Sequence, residues 1–274
     1  MKEVLLDSLL DSLKLVPFLF LSFVIMELIE HKLTNTSRLA KMNKFGPLAG
    51  SFLGIVPQCG FSALASNLYA ARVITLGTLF SVYLSTSDEM LPILISHHTN
   101  FKDIFLILLT KFTLGFIFGL LVDTIYQRKN KPSKEIHDIC SEEHCHCSKN
   151  SIIKSSLIHT LKITFFILLV NIFLSSIIDK TLLTNFTKEN IFLTPLIISI
   201  IGLIPNCASS VIITELYLDN VITFGSCISG LLSGSGIGLL VLFKQNHHYK
   251  ENILILLSLV LISSICGIIL NLLV

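Results

Sequence analysis

Residue types able to do chemistry gather in three places along the chain. The first is a pair of short segments, Val56-Pro57-Gln58-Cys59-Gly60 and Ile204-Pro205-Asn206-Cys207-Ala208, each set in an apolar tract. Proline frees a carbonyl from the helix ladder, and a side-chain amide (Gln58, Asn206) and a thiol (Cys59, Cys207) sit beside the gap. Oxygen and sulfur donors therefore collect in a dry place, as a metal pathway requires. A packing kink with cysteine as a small buried hydrophobe would explain one such segment. Two copies at matched positions favour a functional pair.

The second place is Ser85-Thr86-Ser87-Asp88-Glu89, whose counterpart, Ser233-Gly234-Ser235-Gly236, carries no acid. An aspartate at mid-helix in a bilayer costs about 2.5–3.5 kcal/mol on insertion scales. Asp88 and Glu89 therefore bind a cation or carry protons during exchange, unless they lie in a loop at the membrane surface where charge is ordinary. One half supplies charge while the glycine-rich half supplies adaptable backbone, an arrangement able to hold a single cation between them. Glu215, aligned with Asn67, is a further candidate acid, and Glu27 lies close enough to a helix end to snorkel.

The third is a central polar stretch, HDICSEEHCHCSKN, which holds His137, Cys140, His144, Cys145, His146 and Cys147. These thiols and imidazoles can satisfy a tetrahedral zinc-like or copper-like ion, although the spacing matches no standard finger. It reads as a metal-capture tract, against the plainer alternative of a polar loop with incidental His and Cys. The pairs His97-His98 and His247-His248 read as interfacial residues at helix ends.

What must position these groups is set by composition. Of 274 residues, 52% are hydrophobic and 14% charged, where soluble domains approach about 25% charged, so there is too little polar material to coat a water-exposed surface. Apolar tracts run over 13–30, 45–71, 73–97, 103–125, 157–178, 192–218, 221–243 and 252–274. Each is long enough to cross a core that takes roughly 20 residues per helix. Glu3, Asp7 and Asp11 precede the first tract and no small-residue cleavage site follows it, so it is expected to stay as a spanning helix rather than leave as a signal peptide. The net charge of +2, with no basic face, excludes nucleic-acid binding. The seven cysteines are too scattered for a disulfide framework and are expected to be reduced.

Sliding the chain by 148 residues superposes its halves without a gap. From Pro47 to Leu94 against Pro195 to Leu242, nineteen of forty-eight positions are identical, where chance would give roughly 5. Gly54, Pro57, Cys59, Tyr69, Thr75 and Gly77 meet Gly202, Pro205, Cys207, Tyr217, Thr223 and Gly225. The domains expected are a first transmembrane repeat over 1–126, a linker over 127–154 and a second repeat over 155–274. Basic residues accumulate on cytoplasmic loops. Lys32, Arg38, Lys41 and Lys44 mark one such loop, and Arg128, Lys129, Lys131 and Lys134 place the linker on the same side. Each half then crosses an odd number of times, which makes the repeats inverted. Splitting the tract broken at Pro57–Gly60 or at Ser85–Asp88 gives ten segments. The predicted fold is an all-α membrane protein of about ten segments, in two inverted-topology repeats with broken helices near the midplane, the pattern of secondary transporters.

With the doubled PQCGF and PNC segments, the STSDE segment, the stretch GSCISGLLSGSGIGLLVLF from Gly225 to Phe243 and the His/Cys-rich centre, the chain resembles the ten-transmembrane heavy-metal exporters. Members of that family are often labelled arsenic-efflux or manganese transporters. The resemblance covers nearly the whole sequence. It implies ten membrane segments and metal export across a bacterial plasma membrane, and it brings no residue roles with it.

The expected activity is secondary transport of a divalent heavy-metal ion by alternating access, with proton coupling as an option. The expected transport site comprises Pro57, Gln58, Cys59, Ser85, Ser87, Asp88, Glu89, Pro205, Asn206, Cys207, Ser233 and Ser235, with Cys59, Asp88, Glu89 and Cys207 as metal ligands. Oxygen donors suit Mn²⁺ and thiols suit softer metals, so the ion stays open. A permease for an inorganic or small organic anion, held at half-helix N-termini, is the alternative. An enzyme with Cys59 as nucleophile is disfavoured, since no His lies near it in sequence. No G-x-x-x-x-G-K-[ST] occurs for nucleotide binding. No tightly bound cofactor is expected. The partners are the metal substrate and the lipid bilayer, with a homo-oligomer also admitted.

Overall fold

A computed structural model describes residues 45–56, 59–87, 90–127, 192–205 and 207–273, together with positions 16, 17, 20, 24, 157, 160, 161, 164 and 165. Among the described residues the regular elements are helices. In the first half they are α1 (Gly46–Ile55), α2 (Cys59–Ala70), α3 (Leu76–Ser85), α4 (Met90–Ser96) and α5 (Phe101–Gln127). In the second they are α6 (Leu193–Gly202), α7 (Cys207–Leu218), α8 (Phe224–Ser233), α9 (Gly238–Gln245) and α10 (Tyr249–Leu273). At an offset of 148 residues α2 falls on α7 and α3 on α8 with identical bounds. The tracts at 45–71 and 73–97 are both broken, each at the motif that interrupts its apolar run. At 10 and 12 residues, α1 and α2 extend about 15 and 18 Å, short of a hydrocarbon core near 30 Å.

The start and stop signals recur with the elements. Pro47 opens α1, where its missing N–H costs nothing. Thr75 caps α3 by accepting the Thr78 N–H at 3.2 Å, and Thr223 caps α8 by accepting that of Ser226 at 3.3 Å. Helix α2 ends with Arg72 in the left-handed region at φ 57°, and α7 ends with Asn220 at 55°. The wrap-back bonds agree as well: Val73 N–H donates to the Leu68 carbonyl at 2.8 Å, and Val221 N–H to that of Leu216 at 2.9 Å.

Three stretches among the described residues are long and apolar enough to cross a membrane: Phe101–Tyr126, Phe224–Gln245 and Tyr249–Leu273. The protein is a multi-pass membrane protein, and its surface follows suit. Phe105, Leu109, Ile117 and Leu121 of α5 and Leu254, Leu257, Leu261 and Ile265 of α10 are exposed. Small hydroxyl residues such as Ser81, Ser85, Ser229 and Ser233 lie inside. Helices in lipid gain nothing by burying leucine against leucine, so association rests on close backbone contact and internal hydrogen bonds.

Packing follows from that. Within each half the central helix, α3 or α8, lies between a short helix (α1 or α6) and a long one (α5 or α10). A methyl added at Gly77 would stand 2.1 Å from the Gly119 carbonyl oxygen, and one at Gly225 would stand 2.3 Å from that of Gly267. Between the halves, α9 packs on α2, α7 on α4 and α8 on α3. At the first of these seams a methyl on Gly238 would meet Tyr83 Cε1 at 2.8 Å and the Ser62 carbonyl at 2.9 Å. The buried Ser66 hydroxyl donates to the Gly238 carbonyl at 2.7 Å and shares a hydrogen bond of 2.7 Å with the Tyr83 hydroxyl.

Candidate transport site

The breaks in α1/α2 and α3/α4 meet. Ser87 N–H donates to the Gly54 carbonyl at 3.2 Å, and its hydroxyl donates to the Ile55 carbonyl at 2.5 Å. The STSDE segment is thus tied to the end of α1, two residues before Pro57. Ser85 turns back into its own helix and donates to the Ser81 carbonyl at 2.6 Å. In the second half a methyl on Gly202 would lie 2.3 Å from Ser233 Oγ, so the end of α6 approaches the end of α8 in the same way. Ser233 likewise donates back to the Gly230 carbonyl, at 2.9 Å.

Lys111 joins the two pairs of breaks. It lies in α5, roughly 15 Å along the helix from Phe101, and it has no exposed surface. Its Nζ donates to the Thr86 carbonyl at the end of α3 and, at 2.7 Å, to the Leu231 carbonyl in the last turn of α8. Among the described residues neither carbonyl keeps a helical donor. Met90 N–H goes to Ser87, and Ser235 N–H goes to Ser233. Orphan carbonyls at a helix C-terminus carry partial negative charge, so the ends of α3 and α8 converge on one ammonium. Beside them the chain passes through Gly236 at φ 54°, and the Ser235 hydroxyl is buried with no hydrogen-bond partner among the described residues. Cys227, one turn before Leu231, is a buried free thiol within electrostatic reach of Lys111.

Pro205 is described at the end of the α6 segment, half-buried. Cys59 and Cys207 open α2 and α7, with side chains outside the described residues. Pro57, Gln58, Asp88, Glu89 and Asn206 also lie outside them, as do Glu27 and the linker residues His137, Cys140, His144, Cys145, His146 and Cys147. Among the described residues no three His, Cys, Asp or Glu side chains gather as a metal site.

Two further charged groups are placed by the fold. Asp123 of α5 is buried and caps α3 from the side: its Oδ1 accepts the Gly77 N–H at 2.8 Å and its Oδ2 accepts the Thr75 hydroxyl at 2.7 Å. Glu251, at the start of α10, takes a bidentate pair from Arg72 at 3.0 and 2.8 Å and a hydrogen bond from Tyr69. The Arg72 guanidinium stacks 5.1 Å from the Tyr69 ring centre. Its hydrogen bonds to Glu251 hold it more firmly protonated than a free arginine.

Sequence reading passed over Lys111, Asp123 and the Arg72–Glu251 pair. A signal existed for the first: a lysine well inside an apolar tract is as conspicuous as an aspartate there. Asp123 stands two residues from the end of its tract and looks interfacial. Arg72 and Glu251 are 179 residues apart, and nothing local links them.

No curated protein and no solved structure matches the chain. A sequence-family profile matches residues 1–179, which takes in the first half, the linker and the start of the second half. With that match beside the spanning helices and the converging breaks, the chain belongs to the family described as "Putative, 10TM heavy-metal exporter".

Proposed function

We propose that the chain exports a divalent heavy-metal cation across a bacterial plasma membrane by alternating access, its two halves rocking as inverted repeats around a site at the helix breaks. One observation carries this reading: the Thr86 and Leu231 carbonyls, one from each half, are close enough to bind the same buried atom. Discontinuous helices that turn unwound carbonyls toward a common centre form cation sites in secondary transporters. In this reading Asp88 and Glu89, next in sequence to Thr86 and Ser87, supply negative charge, and one of them exchanges protons for metal. The Pro57–Cys59 and Pro205–Cys207 segments line the route, with Cys59 and Cys207 available to a softer ion. The His/Cys-rich linker lies in the cytoplasm and gathers metal there. No resident cofactor is required, and a homo-oligomer is compatible with the exposed apolar faces.

The test is flux into proteoliposomes with a panel of Mn²⁺, Zn²⁺, Cd²⁺, Co²⁺ and arsenite, comparing the intact chain with Asp88→Asn and with the double variant Cys59→Ser, Cys207→Ser. Flux of one divalent ion, lost in Asp88→Asn, is the expected result. Full rate and unchanged pH dependence in Asp88→Asn would remove that carboxylate from the mechanism.

A second reading has its own support. The buried Lys111 ammonium is a fixed positive charge at the breaks, and a permease for an inorganic or small organic anion would use one. Under that reading Asp88 and Glu89 are dispensable and Lys111 is essential.

A further inference from the structure

Resting on the metal-export reading, we propose that Lys111 is a tethered competitor for the transported cation. Its ammonium occupies the carbonyl site between α3 and α8 when no metal is bound, and the incoming ion displaces it. The carbonyls of Thr86 and Leu231 accept from Nζ as they would coordinate a metal, and among the described residues neither is shared with a helical N–H. An unfilled pair of C-terminal carbonyls in a dry interior is costly, and a cation from the same chain removes that cost. The Ser235 hydroxyl, four residues on from Leu231, is buried and has no partner among the described residues. It is an oxygen donor that the ammonium leaves unused and a hard divalent cation would take up.

The side chain suits the task. A lysine head is a compact point charge on a flexible four-carbon stem, so it can leave the carbonyls without moving α5. At position 259, which corresponds to 111 in the second half, the chain has a buried leucine, so the device exists once and serves one shared site. Displacement also closes the cycle. After the ion leaves, the ammonium re-enters, and the halves rock back with the carbonyls satisfied instead of with an empty polar cavity.

The experiment is metal binding and transport by the purified full chain and by Lys111→Met, which keeps the length and flexibility of the side chain but removes the charge. If the ammonium fills the site about nine-tenths of the time, its removal tightens apparent metal affinity about tenfold. Net efflux should fall in the same variant while metal–metal exchange persists, because only the metal-free return depends on Lys111. Lys111→Ala gives an independent arm: added propylammonium should weaken metal binding in that variant and leave the intact chain unaffected. Unfolding in detergent reports whether each variant is folded. Unchanged or weaker metal affinity in folded Lys111→Met, with exchange and net efflux lost together, would overturn the proposal and leave Lys111 a structural brace. Loss of oxyanion binding in Lys111→Met would overturn it in favour of the anion permease. Absence of binding or flux of any cation in the intact chain would instead overturn the metal-export reading beneath it.

Discussion

The two halves share a scaffold and differ in charge. Caps at Thr75 and Thr223, left-handed turns at Arg72 and Asn220 and close helix contacts at Gly77 and Gly225 recur at the same offset. In side-chain charge the first half carries Arg72, Asp88, Lys111 and Asp123 where the second carries Asn220, Gly236, Leu259 and Asn271. Backbone geometry at these points does not depend on charge. Asp123 and Asn271 both approach the start of the neighbouring central helix: Asp123 accepts the Gly77 N–H at 2.8 Å, and Asn271 Nδ2 donates to the Ser226 hydroxyl at 3.4 Å. The halves therefore agree where helices must start, stop and touch, and diverge where a charge must be held.

The sharpest way to probe that difference is Asp123→Ala against Asn271→Ala. The first leaves the Gly77 N–H and the Thr75 hydroxyl without their acceptor, a loss of about 3 kcal/mol. The second removes a neutral amide in place of a charged acceptor and should cost less, about 1 kcal/mol. Unfolding midpoints in detergent measure both, and equal losses would break the distinction. Next in size is a pair expected to agree. Gly119→Val and Gly267→Val both drive side-chain atoms into a packed neighbour, Ser81 Oγ for the first and Ser229 Cβ for the second. Each should destabilise by about 2 kcal/mol, and strongly unequal values would show that the shared scaffold is not equally tight.

Smaller effects come from the ion pair and the serines. Arg72→Ala removes a partly exposed bidentate pair with Glu251, a loss of about 1 kcal/mol that shrinks in high salt. Asn220→Ala, at a left-handed position that suits asparagine, should show no salt dependence. Ser87→Ala, which loses the bond to the Ile55 carbonyl, should cost about 1 kcal/mol. Ser235→Ala, which removes a buried hydroxyl without a partner among the described residues, should be neutral or slightly stabilising. The sign of that last comparison is the measurement: a destabilised Ser235→Ala would mean that the hydroxyl is engaged in the metal-free protein.

Much of the scaffold could be read from residue order, because its determinants are local. Pro47, the Thr75 and Thr223 caps and the interruptions at Pro57 and Ser85–Asp88 each act within a few residues, and the 148-residue match carries each to its counterpart. The sequence placed the breaks but left open which of two would split its tract, and both are interrupted. The candidate site was legible only in part. Convergence of Thr86 and Leu231 on Lys111 depends on three helices distant in sequence, and it cannot be seen in any window of the chain. Attention to costly carboxylates also hid an equally costly ammonium, since hydropathy averages absorb one lysine in an apolar run of more than twenty residues.

The close fit at Gly238 bears on whether the halves are still exchangeable parts. Its counterpart is Met90, fully buried in its own seam. A chain assembled from two copies of the first half would bring methionine to position 238, where even a methyl lies 2.8 Å from Tyr83 and 2.9 Å from Ser62. The seam between α2 and α9 would then have to open. Two second halves would instead leave Met90's place to a glycine, with a void where the methionine packs. The halves have become complementary pieces, and the fused chain cannot be taken apart into a pair of identical ones.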